Sequence, residues 1–257
     1  MQLEVENLVC TYLKGPAEIT ITLPRLTMAT GVPCALVGVS GSGKSSLLEC
    51  LGLLNHSAHF DKYVLGGVDL CQLSAKERVH FVKSRIGYMP QRDGLVDFLT
   101  VRENFALQID LANQARAQER RGAAAEGADR QALVNKAQRL TELCALCEKL
   151  GLERSKLDCY PHELSIGQVQ RASFVRSLAH CPKLLLIDEP TAALDPENGR
   201  RLFAEIKRFT AELDMLTLTV THDVEHLSGF TIYAYSEEKS SERHSVFVAQ
   251  GQEAGAL

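Results

Sequence analysis

The sequence lacks any run of apolar residues long enough to cross a bilayer; the strongest candidate, residues 184–187, is followed at once by Asp188 and Glu189. It also lacks the basic start and apolar stretch of a signal peptide, since it opens with Met-Gln-Leu-Glu. Positive charge is not in excess: 28 Lys and Arg against 32 Asp and Glu give a net charge of −4, so no nucleic-acid partner is expected. These absences predict a cytoplasmic protein that reaches a membrane only through a partner.

Disulfides are also not expected. The 8 cysteines lie in a chain without a secretory signal, which predicts reduced thiols. Cys144 and Cys147, followed by Cys159 and His162, form a set that could hold a structural zinc ion. However, Cys144 and Cys147 fit the apolar face of a predicted helix over residues 140–150. We therefore expect core thiols there, with a zinc site as the alternative.

Hydrophobic patterning predicts an α/β fold with a mostly parallel sheet. Residues 19–23 alternate with period two, as in a half-buried antiparallel strand. Residues 34–37 are wholly apolar, which is typical of a strand buried on both faces; a glycine-rich loop follows over 38–43, and a helix is predicted over 44–54. The apolar runs 184–187 and 216–220 predict further parallel strands.

The middle of the chain differs in character, because residues 99–179 have a mostly helical pattern. Within them, residues 112–131 are rich in Ala, Arg, Glu and Gln and contain Gly122 and Gly127. We expect this stretch to form a solvent-exposed extension or a mobile loop rather than a functional basic patch. After residue 230, the sequence predicts at most a short strand pair over 232–235 and 246–248.

One loop carries the strongest chemical signal. It fits the pattern G-x-x-x-x-G-K-[ST] with Gly38, Val39, Ser40, Gly41, Ser42, Gly43, Lys44 and Ser45. In such a loop, glycines let backbone N–H groups turn towards phosphates, and the helix that follows presents its positive N-terminus. Lys44 is expected to reach the β- and γ-phosphates of ATP, Ser45 to ligate Mg²⁺, and Ser46 to lie among the nucleotide contacts.

Two acidic residues end the apolar run 184–187. Asp188 is expected to hold Mg²⁺, usually through water, and Glu189 to polarise the water that attacks the γ-phosphate. An apolar run ending in Asp-Glu is a weak signal alone. Together with the phosphate loop it predicts ATP hydrolysis.

The segment Leu164-Ser165-Ile166-Gly167-Gln168 points to a family. Ser165 and Gln168 have the spacing of a capping box, which predicts a helix over residues 168–179. The stretch also resembles the L-S-G-G-Q signature of ABC-type ATPases. The preceding Tyr-Pro-His-Glu resembles the usual lead-in, which explains His162 without zinc.

Other residues match the family in order, from residue 12 to about 230. Tyr12 resembles the aromatic residue that stacks on adenine, and Gln91 the glutamine that contacts Mg²⁺ and the attacking water. Asp195, at the end of Ala-Ala-Leu-Asp, resembles the loop that crosses a dimer interface. His222 resembles the histidine that senses the γ-phosphate. Its spacing from His226 would also suit a metal pair one helical turn apart, a reading we disfavour.

The resemblance implies a P-loop NTPase core with an N-terminal antiparallel β sub-domain and an inserted helical sub-domain. The core would span residues 1–98 and 180–257, and the helical part about 99–179, within one domain. Two copies would pair head to tail, so that Ser165, Gly167 and Gln168 of one copy complete the ATP site of the other. A groove beside Gln91, including residues 95–100, would receive an integral membrane transporter subunit. The protein would then lie peripherally on the cytoplasmic face of the inner membrane.

Three residues depart from the family pattern. Ile166 replaces a signature glycine, Val39 stands where proline is frequent, and Ala192 where serine is usual. Because none removes a catalytic group, we expect at most slower turnover. Residues 53–54, 70–74 and 194–200 resemble the lipoprotein-release and macrolide-efflux subgroup.

Two other function classes share the phosphate loop. One is a soluble ABC ATPase acting on DNA or ribosomes, which would require long coiled coils or a second such domain, and neither is visible in the sequence. The other is a P-loop kinase, which leaves the signature and His222 unexplained.

Overall fold

The computed structural model describes residues 1–14, 17–92, 94–122, 132–192, 194–241 and 243–250. The chain separates into two compact units, one made of Met1–Leu73 with Glu205–Leu257 and the other of Ser74–Ala204. Within the described ranges, no helix combines the length and the apolar character needed to cross a membrane.

The strands are β1 (Gln2–Lys14), β2 (Ala17–Ala29), β3 (Cys34–Val37), β4 (Ala58–His59), β5 (Lys62–Leu65), β6 (Val68–Asp69), β7 (Ile86–Met89), β8 (Leu184–Asp188), β9 (Leu216–Thr221), β10 (Thr231–Tyr235) and β11 (His244–Ala249). The α-helices are α1 (Lys44–Leu51), α2 (Ala75–Arg85), α3 (Val101–Gly122), α4 (Lys136–Lys149), α5 (Ile166–Ser177) and α6 (Pro196–Glu212). Short 3₁₀ helices cover Leu70–Gln72, Arg154–Asp158 and Pro161–Glu163.

The first unit is built on a mixed sheet with the strand order β6-β5-β1-β2-β11-β10-β3-β9, and β4 also pairs with β1. β1 and β2 form a long antiparallel hairpin, in which Val5 lies opposite Leu26. On β2, Ile21 and Leu23 are buried and Thr22 is half-buried, which confirms the predicted period-two strand. β3 pairs in parallel with β9 and β10, as expected for a strand buried on both faces.

The helix after the phosphate loop is shorter than predicted. α1 ends at Leu51, Gly52 is its C-cap, and Leu53 adopts a left-handed backbone with φ 55°. The prediction of a helix to residue 54 was therefore wrong by a turn, because a left-handed residue stops α-helical hydrogen bonding.

The second unit contains the parallel pair β7–β8, with Ile86 opposite Leu184 and Met89 opposite Ile187. All five residues of β8 are buried, which confirms the predicted apolar strand. Helices α3, α4 and α5 pack on one another in this unit, so residues 99–179 are mostly helical, as predicted. The proposed sub-domain boundaries at 99 and 179 stay a prediction.

The expectation for residues 112–131 was wrong over its first half. α3 continues to Gly122, and Ala112, Ala115 and Arg116 on it are buried. Alanine is the strongest helix former, and the Arg116 side chain satisfies buried carbonyl groups, so a polar composition here does not imply an exposed loop. Residues 123–131, including Gly127, lie outside the described residues.

The strand pair predicted near the C-terminus is present. β10 and β11 pair antiparallel, with Ala234 opposite Val248. β11 also pairs in parallel with β2, so it links the hairpin to β10 and β3 within one sheet.

Candidate functional site

The phosphate loop connects β3 to α1 and closes around a lysine. Lys44 Nζ donates hydrogen bonds to the carbonyl oxygens of Gly38 and Val39, each at 2.9 Å. Ser42 Oγ donates to the same Val39 carbonyl at 2.8 Å. Lys44 is buried, with 6% of its surface exposed, so its charge is held at a fixed place inside the loop.

Two glycines of this loop need left-handed backbone: Gly41 has φ +80° and Gly43 has φ +93°. A Cβ at Gly43 would lie 2.2 Å from Ile21 Cδ1 on β2, whereas nothing lies within 4 Å of one at Gly41. Gly43 is the N-cap of α1 and makes no side-chain cap hydrogen bond. No side chain at Gly41 or Gly43 therefore covers the backbone N–H groups at the start of α1. This arrangement suits the binding of a phosphate group.

The two acids lie at the end of β8. Asp188 and Glu189 are buried, at 5% and 7% exposed. Glu189 has φ 44°, which is uncommon for a residue with a Cβ and is typical of strained positions at functional sites. This strain directs attention to Glu189 independently of its sequence motif.

The signature segment forms the N-terminus of α5. Gln168 N donates to Ser165 Oγ at 3.3 Å, and Ser165 N donates to Gln168 Oε1 at 2.9 Å, which confirms the predicted capping box. The predicted helix over 168–179 corresponds to α5, which begins earlier at Ile166 and ends at Ser177. Ile166 is 72% exposed, although it is apolar.

Gln91 and Asp195 both lie in loops directly next to regular elements. Gln91 is exposed in a bend after β7. Asp195 precedes α6, and its Oδ1 accepts hydrogen bonds from the backbone N–H groups of Glu197 (3.1 Å) and Asn198 (3.0 Å). The hydrogen bonds from Asn198 are the main cause that lowers the pKa of Asp195 below its usual value.

His222 is exposed just after β9, and Tyr12 is half-buried on β1 opposite Ile19. Residues 222–226 form a bend and a turn instead of a helix. The premise that His222 and His226 lie one helical turn apart was therefore wrong. His226 Nε2 instead lies 3.6 Å from Asp223 Oδ2.

A family profile described as "ABC transporter" matches residues 23–192, well over half of the chain. The chain belongs to the ABC transporter family. Among curated relatives, the methionine import ATP-binding protein MetN of Photobacterium profundum is 35% identical over 230 residues, covering 88% of this chain and 60% of that protein. MetN of Haemophilus influenzae is 34% identical over 200 residues, covering 78% and 51%. The chain thus spans about half to three-fifths of the length of these relatives.

A solved structure agrees on the fold. The ATP-binding cassette MJ0796, described as dimeric, in a post-hydrolysis state and bound to ADP and Pi, superposes with a TM-score of 0.73 and 25% identity. The superposition covers 90% of this chain and 93% of that one. A second dimeric structure of MJ0796, described as a bacterial ABC transporter cassette, gives 26% identity.

This ABC transporter family chain carries the predicted site residues on both units. The first unit holds Tyr12, His222 and the loop residues 38–46; the second holds Gln91, Asp188, Glu189, Asp195 and residues 165–168. Ile21 was missed in the sequence, because its contact with Gly43 joins a strand to a loop and leaves no local pattern.

The cysteine cluster of this family member has a structural explanation. Cys144 and Cys147 are buried on α4, and Arg102 Nη1 donates to Cys144 Sγ at 3.3 Å. Burial raises the pKa of Cys147 to about 12, as expected for a thiol packed in the core. Among the described residues, no group of three or more His, Cys, Asp or Glu side chains is placed to hold a metal ion.

Proposed function

We propose that this chain is the ATP-hydrolysing subunit of an ABC transporter. The observation that carries the proposal is the phosphate loop, which is closed by Lys44 and opens onto the N-cap glycine of α1. The names of the relatives describe ATP-binding proteins and an ATP-binding cassette with ADP and Pi, and so support ATP as the ligand of this loop.

The loop would hold the phosphates of ATP through residues 38–46, with Lys44 on the β- and γ-phosphates. Tyr12 would stack on the adenine. The donor set for Mg²⁺ would be oxygen only, which is the ligand type this ion prefers: the Ser45 hydroxyl, the Gln91 amide and the Asp188 carboxylate. The ion, when bound, neutralises charge on the transferred phosphoryl group.

Catalysis would depend on positioned side chains. Glu189 would accept a hydrogen bond from the attacking water and so orient it. His222 and Gln91 would complete the arrangement around the γ-phosphate, and Lys44 would stabilise the negative charge that develops there.

A second copy of the chain would complete each ATP site. Ser165, Gly167 and Gln168 lie at the N-terminus of α5, which favours negative charge such as the γ-phosphate. Asp195 would lie at the dimer interface. The dimeric solved structures of MJ0796 support this partner.

The membrane partner would be an integral transporter subunit, reached from the cytoplasmic face of the inner membrane. Phe98 supports this contact, because it is 80% exposed within residues 95–100. Residues 53–54, 70–74 and 194–200 favour the lipoprotein-release or macrolide-efflux subgroup, whereas the names of the curated relatives favour methionine import. These placements differ in the membrane protein that would co-purify.

The test is affinity purification of the tagged chain from detergent-solubilised membranes. We expect a multi-span membrane protein to co-purify, and its identity decides between the two subgroups. A matched variant, Phe98→Asp, should lose that protein and keep its own ATP hydrolysis. Recovery of ribosomes or DNA without any membrane protein would reject the transport role in favour of the soluble alternative.

A further inference from the structure

A cavity of about 310 Å³ lies within the Ser74–Ala204 unit, away from every residue assigned to the nucleotide. Its volume falls at the lower end of the range for small-molecule pockets. The polar side chains that line it come from α3, from the N-cap and first half of α4 and from the turn before β8: Arg116, Asn135, Gln138, Arg139, Glu142 and Cys181.

Arg116 gives the cavity an unusual charge. The residue is 1% exposed, and its Nη2 donates to the carbonyl oxygens of Ser84 (2.8 Å) and His180 (2.5 Å). Its Nη1 donates to the Ala132 carbonyl at 3.2 Å, and its Nε has no hydrogen-bond partner. Among the described residues, Arg116 forms no direct ion pair; Glu119, which pairs with Arg85 at 2.6 Å, attracts it only at longer range, and burial is the main cause that lowers the pKa of the Arg116 guanidinium.

The other charges of the lining do not neutralise it. Arg139 Nη1 is paired with Glu142 Oε2 at 2.9 Å, which leaves one positive charge in excess over the cavity walls. A buried charge without a directly paired counter-ion is costly, and an anion entering the cavity would offset that cost. The lining therefore selects a small anionic ligand.

Cys181 places a nucleophile at this cavity. Its side chain is exposed, unlike the buried Cys144 and Cys147. The residue has φ 54°, and its N–H donates to the Leu178 carbonyl at 3.1 Å, which fixes the turn. Arg139 holds the same turn from the other side, because its Nη2 donates to the Leu178 carbonyl at 2.7 Å and its Nε to the Ala179 carbonyl at 3.2 Å.

We propose that this cavity binds an anionic low-molecular-weight disulfide and that Cys181 is the residue it modifies. The Cys181 thiol loses its proton to solvent, and the thiolate attacks one sulfur of the disulfide. A new S–S bond forms between Cys181 and that half, the original S–S bond breaks, and the other half leaves as a thiolate that takes up a proton. The carboxylates of the attached half lie against Arg116 and Arg139. The modified residue lies three positions before β8, the strand that ends in Asp188.

The proposal is tested on the purified full chain with two probes that differ in charge. Glutathione disulfide is anionic and cystamine is cationic, and both react by the same exchange. Peptide mass spectrometry follows the rate at Cys181 against the rates at Cys71 and Cys159, which are half-exposed and serve as internal controls. At low salt we expect glutathione disulfide to favour Cys181 over Cys159 by about tenfold, and cystamine to lose that preference. Equal preference with both probes would overturn the proposal.

A charge variant on the surface of α4 provides an independent check. Glu142→Gln removes the one carboxylate of the lining and should speed the reaction of Cys181 with glutathione disulfide by a few-fold. Glu148→Gln, on the same helix but outside the lining, should leave the rate unchanged. Cys181→Asn should abolish the adduct and keep the fold, since asparagine tolerates the left-handed backbone. An unchanged rate in Glu142→Gln would contradict the role of the cavity charge.

Discussion

At the scale of single residues, the two left-handed glycines of the phosphate loop differ only in their surroundings. Gly41→Ala should cost about 1 kcal/mol of unfolding free energy, because it adds left-handed strain alone. Gly43→Ala should cost about 3 kcal/mol, because its Cβ also meets Ile21. Urea denaturation of both variants measures the difference. Adding Ile21→Val, which removes the Cδ1 atom, should recover part of the loss at Gly43; equal costs at both glycines would contradict this account.

A second prediction concerns Glu189. Glu189→Gln keeps the size of the side chain and removes its ability to accept a proton, so ATP turnover should fall by at least about 100-fold. ATP binding, measured by fluorescence of a labelled nucleotide, should stay within a few-fold of wild type. Lys44→Ala is the contrasting variant, and it should lose binding itself. Turnover of Glu189→Gln at the wild-type rate would refute the role given to this residue.

Sequence reasoning at this scale identified residue types better than their conformation. Asp188 and Glu189 were predicted because they follow an apolar strand and accompany a phosphate loop. The left-handed backbone of Glu189 could not be predicted, since glycine is the residue type that indicates such a conformation in a sequence. The contact between Ile21 and Gly43 was equally hidden, because it depends on tertiary packing.

At the scale of elements, the N-terminus of α5 combines a structural and a proposed functional role. Ser165→Ala should cost about 1 kcal/mol of unfolding free energy, because it removes the capping hydrogen bond to Gln168 N. Ser165→Asp keeps a good N-cap but places a negative charge where the γ-phosphate would bind. It should therefore retain stability and lose ATP-driven pairing. A loss of stability in Ser165→Asp as large as in Ser165→Ala would contradict the separation of the two roles.

The turn between α5 and β8 contains a buried histidine that makes stability depend on pH. Burial lowers the pKa of His180 to about 3, and its Nε2 lies 3.1 Å from the Ile86 carbonyl. The unfolded state takes up a proton near pH 6.5 while the folded state does not, so stability falls as the pH decreases below that value.

Between pH 7.5 and pH 5 the loss from His180 should be about 2 kcal/mol, measured by urea denaturation across that range. In His180→Gln this part of the pH dependence should disappear, whatever the variant's stability at neutral pH. An identical slope in both proteins would contradict the lowered pKa of His180 in the folded state.

Most elements were predictable because their hydrophobic period is local. The wholly apolar runs 34–37 and 184–187 became β3 and β8, and the run 216–220, in which threonine alternates with leucine and valine, became β9. The Ser165–Gln168 spacing predicted the start of α5 within two residues. Residues 112–122 were misread because buried alanines and a buried arginine look like surface composition in a sequence. The helical spacing of His222 and His226 was misleading, since a spacing of four residues alone does not make a helix.

At the scale of the whole molecule, the chain belongs to the ABC transporter family and has the fold of the ATP-binding cassette MJ0796. The phosphate loop and the α5 N-terminus lie in separate compact units, and both are elements that favour phosphate. We propose that pairing of two copies brings these two elements to the same ATP molecule.

Light scattering of Glu189→Gln at increasing ATP concentration tests that claim most directly. Because this variant is expected to bind ATP without hydrolysing it, we predict a monomer without nucleotide and a dimer with saturating Mg-ATP. The double variant Glu189→Gln with Ser165→Asp should remain a monomer at the same Mg-ATP concentration. A monomer of Glu189→Gln that carries bound ATP at saturation would contradict a site completed by a second copy.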